Sequence, residues 1–212
     1  CPSCGAWNSA AEAPVAAAAG SAAVGRGPRA RWAPKSEVAG GLPGAGPGPR
    51  PLAHVEVSAT HRWPSGLREL DRVLGGGVMP GSLVLVGGDP GIGKSTLMLQ
   101  LAQTLAVAGR RVLYVSGEES VEQVRLRAGR LGPIPESLLI LAETDLETVL
   151  EAAAQVQPDV LVADSIQTLA RADLEGGPGS VSQVRECALA LLHYAKGSSA
   201  AVFLVGHVTK EG

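Results

Sequence analysis

Beyond about residue 54, short apolar runs alternate with amphipathic stretches. Ser82-Leu83-Val84-Leu85-Val86-Gly87, Arg111-Val112-Leu113-Tyr114-Val115-Ser116, Leu138-Leu139-Ile140-Leu141, Asp159-Val160-Leu161-Val162-Ala163 and Ala201-Val202-Phe203-Leu204-Val205-Gly206 are too short for helices. They lack the polar alternation of a half-wet strand, which is the pattern of strands buried on both faces. Between them the period changes. Leu97, Met98, Leu101 and Leu105 mark a helix from Ser95 to Gly109, and Ser120-Val121-Glu122-Gln123 is a capping box before Val121, Val124 and Ala128. Thr144-Asp145-Leu146-Glu147 reads as a second box before Leu146, Val149, Leu150 and Ala153. Ser180-Val181-Ser182-Gln183 caps a helix with Val181, Val184, Ala188, Leu191 and Leu192, closed by Gly197. Earlier, Leu67, Leu70, Val73 and Leu74 form a short helix stopped by Gly75-Gly76-Gly77, and His54-Val55-Glu56-Val57 alternates like a strand. Strands alternating with helices predict an α/β fold with a right-handed, mostly parallel sheet covered on both faces.

The chain is organised around Gly88-Asp89-Pro90-Gly91-Ile92-Gly93-Lys94-Ser95, a complete G-x-x-x-x-G-K-[ST] followed by Thr96. A strand leads into it and a helix leaves it, the context that a phosphate-binding loop requires. Glycines let backbone N–H groups close around phosphate oxygens, and the helix offers its positive N-terminus. Lys94 supplies a mobile cation for the outer phosphates, and Ser95 a hydroxyl for Mg²⁺.

Two other strand ends add chemistry. The run from Asp159 delivers Asp164 at its carboxyl end, the placement of a Walker B aspartate in the Mg²⁺ sphere, because ligands of open α/β sheets bind at the carboxyl edge. After Ser116 come Gly117-Glu118-Glu119. Glu118 is the choice for polarising the attacking water, with Glu119 as neighbour or substitute. The strand ending at Gly206 delivers His207, either a sensor of the outer phosphate or a locally hydrogen-bonded side chain. The stretch from Leu169 to Ser180, rich in glycine, is long enough to be expected mobile.

The remainder bounds the class. A formal charge of −2 gives no global basic field, so nucleic-acid binding has to come from local patches. Aromatics at 3% leave little for base stacking, and three cysteines cannot form a disulfide framework. With no signal peptide or long apolar span, a cytoplasmic protein is expected. Cys1-Pro2-Ser3-Cys4-Gly5 is a zinc-knuckle half, two thiolates where a tetrahedral site needs four ligands. From Ser9 to about residue 53 the chain is Ala, Gly and Pro with scattered Arg, too poor in large apolar side chains to offset ordering entropy, and reads as a disordered linker. Residues 1–8, 9–53 and 54–212 are thus expected to be half a zinc finger, a linker and a nucleotide-binding core.

These residues resemble the bacterial RadA/Sms family of DNA repair ATPases with a RecA-like core. The resemblance runs through Cys1 to Asn8, Glu69-Leu70-Asp71-Arg72-Val73-Leu74-Gly75-Gly76-Gly77, Gly87 to Thr96, Tyr114 to Ser120, Asp164-Ser165-Ile166-Gln167-Thr168 and Gly206 to Gly212. It implies ATP with Mg²⁺, with Zn²⁺ in the intact protein, and DNA-stimulated hydrolysis driving branch migration of recombination intermediates. Single-stranded or branched DNA, a ring of like subunits, and recombinase or helicase proteins are the partners it implies. Carried over, Lys94 and Ser95 are nucleotide residues, Asp164 the Mg²⁺-sphere acid, Glu118 the catalytic glutamate and His207 the phosphate sensor, while Arg171 falls in a DNA-facing loop. The strand order implied is 83–87, 201–206, 160–164, 111–116, 138–141, and the strand at 83–87 is expected to have an open edge. The chain is expected to be a fragment, with the first cysteine pair and further core strands outside it. A nucleotide-regulated scaffold acting through the zinc knuckle, and a small-molecule P-loop kinase, are the alternatives. A GTP switch is disfavoured because Thr209-Lys210-Glu211-Gly212 has glycine where the base-reading aspartate of such proteins sits.

Overall fold

The computed structural model describes residues 51–54 and 61–207. Five strands, β1 (Leu83–Gly88), β2 (Val112–Ser116), β3 (Leu138–Ala142), β4 (Val160–Asp164) and β5 (Ala201–His207), form one parallel sheet in the order β1-β5-β4-β2-β3. This is the order implied by the RecA-like resemblance, with β1 at one edge of the described strands. Helices α1 (Arg68–Val73), α2 (Lys94–Val107), α3 (Val121–Leu131), α4 (Leu146–Val156) and α5 (Val181–Ser198) complete the domain.

Every residue of β2 and β4 is buried, and so is all of β5 except His207. Successive side chains point to opposite faces, so each strand feeds two cores. Tyr114, Val162 and Phe203 join Met98, Leu101 and Leu105 of α2 and Val124 and Ala128 of α3. Leu113, Leu161 and Leu204 join Leu146, Val149 and Ala153 of α4 and Cys187, Leu191 and Ala195 of α5 on the other face. With both faces dry, only the strand ends can present polar groups to water.

Local signals behave differently once packing is known. The Ser120 box forms in full, its hydroxyl accepting from Gln123 N–H while Gln123 Oε1 accepts from Ser120 N–H. The second box is displaced by one residue, since Asp145, not Thr144, caps α4 by accepting from Thr148. Ser180 stands at the start of α5 without a side-chain capping bond. Gln183 is instead buried, donating to the carbonyls of Arg171, Leu174 and Gly176 and accepting from Arg171 N–H. The stretch expected to be mobile is therefore fastened to α5 through one amide. The buried line of α5 runs Gln183, Cys187, Leu191, Ala195, whereas Val181 is 85% exposed. His54 lies in a 3₁₀ turn, Leu52–His54, and the rest of the expected strand at 54–57 falls outside the described residues. The pairing found near it is an antiparallel bridge between Trp63 and Val78. There Arg62 donates to the carbonyls of Leu74 and Gly77, closing the triple-glycine turn.

Phe203, the chain's single phenylalanine, is fully buried in the middle of β5. Phe203→Ala should lower unfolding free energy by about 3–5 kcal/mol through lost burial and the cavity left behind, measured by urea titration. A loss below about 1 kcal/mol would contradict this account of the core.

Candidate nucleotide site

Parallel register gathers the functional side chains. Gly88 pairs with His207, Asp164 with Val205, and Ser116 with Asp164, so β4 and β2 end together and β1 and β5 end together two residues further on, all at the carboxyl edge of the sheet. The loop from Asp89 to Gly93 rises from β1, with Asp89, Pro90, Gly91, Ile92 and Gly93 all exposed. Gly91 and Gly93 adopt φ of 81° and 95°, conformations that side chains with a Cβ rarely take, and Gly93 is the N-cap of α2. The first amides of α2, which have no partner within a helix, thus lie at an open loop.

Lys94 is 6% exposed and curls back over this loop, its Nζ donating to the carbonyls of Gly88 and Asp89, both at 2.8 Å. His207 Nδ1 lies 3.4 Å from the same Nζ. Ser95 Oγ donates to Asp164 Oδ1 at 3.0 Å, and Tyr114 Oη donates to Asp164 Oδ2 at 2.5 Å. Burial, and next the adjacent Asp164 carboxylate, push the Tyr114 phenol far above its ordinary pKa, so it stays a donor.

The two glutamates separate. Glu118 Oε1 accepts from Ser165 Oγ at 2.9 Å and lies 3.5 Å from His207 Nε2. Glu119 turns the other way and pairs with Arg127 at 2.9 Å, against α3. Gly117, just before them, packs against the turn after β4. A Cβ on it would stand 1.9 Å from Thr168 Oγ1, and that hydroxyl is held by the Ser165 carbonyl at 2.8 Å. Gln167 Nε2 donates to the His207 carbonyl at 3.2 Å, tying the segment after β4 to the end of β5.

Lys94, Ser95, Glu118, Asp164 and His207 are thus brought into one connected cluster, and Thr96 lies exposed on the first turn of α2. Arg171 is not presented to solvent as a free cation, being bound to Asp173 at 2.8 Å and Glu147 at 3.3 Å. With Asp173 and Glu175 beside it the loop carries more acid than base. Cys1 and Cys4 lie outside the described residues. Tyr114 and Ser165 are the participants that sequence reasoning missed. A tyrosine inside an apolar strand reads as core, and a serine after the strand aspartate reads as a turn.

The donor set fits a magnesium nucleotide. Ser95 and Asp164 offer hard oxygens 3.0 Å apart beside the phosphate loop. Mg²⁺ takes one or two protein oxygens and completes its shell with phosphates and water. Among the described residues no cluster of three His, Cys, Asp or Glu side chains forms an all-protein metal cage.

Residues 49–212 match the family described as AAA domain. The chain belongs to that family. Relatives named DNA repair protein RadA include those of Halalkalibacterium halodurans, 47% identical over the whole chain, and Pseudomonas aeruginosa, 48% identical over the whole chain. That of Listeria monocytogenes is 52% identical over 76% of the chain. The chain spans 43% of the length of the first two and 35% of the third. The RadA resemblance drawn from the motifs therefore holds along the chain, and the family is one of nucleotide- and Mg²⁺-using ATPases. No helix among the described residues is long and apolar enough to cross a membrane.

Gly117→Ala should destabilise the domain by about 1–3 kcal/mol, because the Thr168 turn must retreat from the new methyl group. Urea titration checks this. Unchanged stability would mean that the close approach of Gly117 to Thr168 does not constrain the site.

Proposed function

We propose that this chain carries the ATPase core of a DNA repair protein, hydrolysing ATP in response to single-stranded or branched DNA and using it to drive branch migration of recombination intermediates. One observation carries the reading: Lys94, the Ser95–Asp164 pair, Glu118 and His207 converge at the carboxyl edge of the sheet beside an open phosphate loop. When bound, Mg²⁺ supplies charge neutralisation at the outer phosphates.

The chain's own residues supply the rest. Lys94 exchanges its two carbonyl partners for phosphate oxygens, and the amides of α2 and its loop bind the remaining phosphate charge. Glu118, held by Ser165, takes a proton from water as the water oxygen bonds to the outer phosphorus and the bond from that phosphorus to the bridging oxygen breaks, ADP leaving with the electron pair. His207 stands between Lys94 and Glu118 and touches both sides of the reaction, the position of a phosphate sensor. It is also the end of β5, so a partner acting on the segment that follows acts on the site. The relatives' name, DNA repair protein, supports DNA as that partner. Ring assembly, zinc binding through Cys1 and Cys4, recruitment of recombinase or helicase proteins, and action in the cytoplasm complete the proposal for the whole protein.

Steady-state phosphate release with and without single-stranded DNA tests it, using the wild type, Glu118→Gln and Glu119→Gln. The wild type should be stimulated by DNA. Glu118→Gln should retain nucleotide binding and lose roughly 10²-fold or more in turnover, the scale of a positioned base. Glu119→Gln, which removes only the pairing with Arg127, should stay within a few-fold. Turnover indifferent to DNA would favour the scaffold, and phosphate transfer to an added metabolite the kinase. The reverse order of the two glutamine variants would reassign the base.

A further inference from the structure

We propose that Tyr114 is a positioning residue for the metal-facing carboxylate, restricting Asp164 to one free oxygen. The proposal rests on the magnesium-nucleotide reading above. Asp164 is 9% exposed and has two oxygens with different fates. Oδ2 receives the Tyr114 phenol at 2.5 Å, and Oδ1 receives Ser95 Oγ at 3.0 Å. Tyr114 is itself 1% exposed on the neighbouring strand, with its ring in the core of α2 and α3, so the phenol can neither leave nor rotate away. Its Oη also lies 3.4 Å from the Ser95 carbonyl, which places it under the first turn of α2. One hydroxyl therefore fixes the carboxylate plane relative to the residue that shares its other oxygen.

The consequence is chemical. A carboxylate free to turn can offer a cation either oxygen, or both. With Oδ2 held by a buried phenol, only Oδ1 faces the phosphate loop, beside Ser95 Oγ. Charge-assisted hydrogen bonds of this kind are the stronger ones, and loss of the donor would leave a buried oxygen without a partner. The carboxylate would then turn towards other donors and lose its alignment with Ser95. Tyr114 acts on the metal through Asp164 alone, and nothing in its position brings it to the nucleotide.

The test is binding of a fluorescent ADP analogue to the full chain, measured in EDTA and across a Mg²⁺ titration, for the wild type, Tyr114→Phe, Asp164→Asn and the double variant. Tyr114→Phe should raise the half-saturating Mg²⁺ concentration roughly tenfold, a shift in keeping with a hydrogen bond to a charged group. Its affinity in EDTA should stay within about twofold of the wild type. Because the phenol acts through Asp164, adding Tyr114→Phe to Asp164→Asn should change the Mg²⁺ requirement little further, a non-additive cycle. An unchanged Mg²⁺ requirement, an equal loss in EDTA, or multiplying effects in the double variant would overturn the proposal. A wild type that binds the analogue in neither condition would overturn the nucleotide reading, and this proposal with it. Should Tyr114→Phe not fold, fluorotyrosine incorporated into a Tyr194→Phe chain leaves Tyr114 as the single reporter. Its fluorine resonance should move when Mg²⁺ is added to the ADP-loaded protein, and an unmoved resonance would refute the coupling.

Discussion

The two-sided burial of β5, β4 and β2 governs the rest of the structure. A strand whose side chains alternate between two dry cores has no face on which to carry a charge, so ionisable groups collect where the strands end. Parallel pairing brings those ends to one edge of the sheet, and the register Gly88–His207, Val205–Asp164, Asp164–Ser116, in which β1 and β5 run two residues beyond β4 and β2, sets the spacing of the site before any side chain makes a contact. The phosphate loop, the acid ending β4, the glutamate after β2 and the histidine ending β5 then share one edge as a consequence of topology.

Within that edge each polar group already has a partner that a magnesium nucleotide could replace or retain. Lys94 rests on two loop carbonyls, and Ser95 on Asp164. These are contacts that phosphate and metal can displace. Tyr114 on Asp164 Oδ2 leaves Oδ1 to Ser95, and Ser165 holds Glu118 through the same oxygen that faces His207. The distinction separates groups that move on binding from groups that hold the movers in place. Preorganisation of the second kind lets fixed dipoles meet developing charge without rearrangement.

Much of this was legible in the sequence because it depends on short-range patterns. Apolar runs bounded by glycine and charge mark the five strands of the described sheet, and glycine, lysine and serine at fixed offsets mark the phosphate loop. What was not legible depends on what lies across the sheet. That Glu118 and Glu119 diverge, one towards Ser165 and His207 and the other to Arg127 on α3, depends on neighbours that the adjacent pair does not express in sequence. The buried line of α5 includes Gln183 because its amide meets three loop carbonyls, a need that helical periodicity does not express. Arg171, expected in a DNA-facing loop, pairs with Glu147 of α4, a neighbour that the sequence of the loop does not show. Tyr114 was hidden for the same reason, since its partner is 50 residues away on the adjoining strand.

The most direct measurement of the central claim is a crystal structure of the full chain soaked with a non-hydrolysable ATP analogue and Mg²⁺. The account predicts the outer phosphates inside the loop from Gly88 to Ser95, Lys94 Nζ moved from the carbonyls of Gly88 and Asp89 onto phosphate oxygen, and the metal beside Ser95 and Asp164. A nucleotide bound elsewhere, or a Lys94 that keeps both carbonyls while the nucleotide is present, would contradict it.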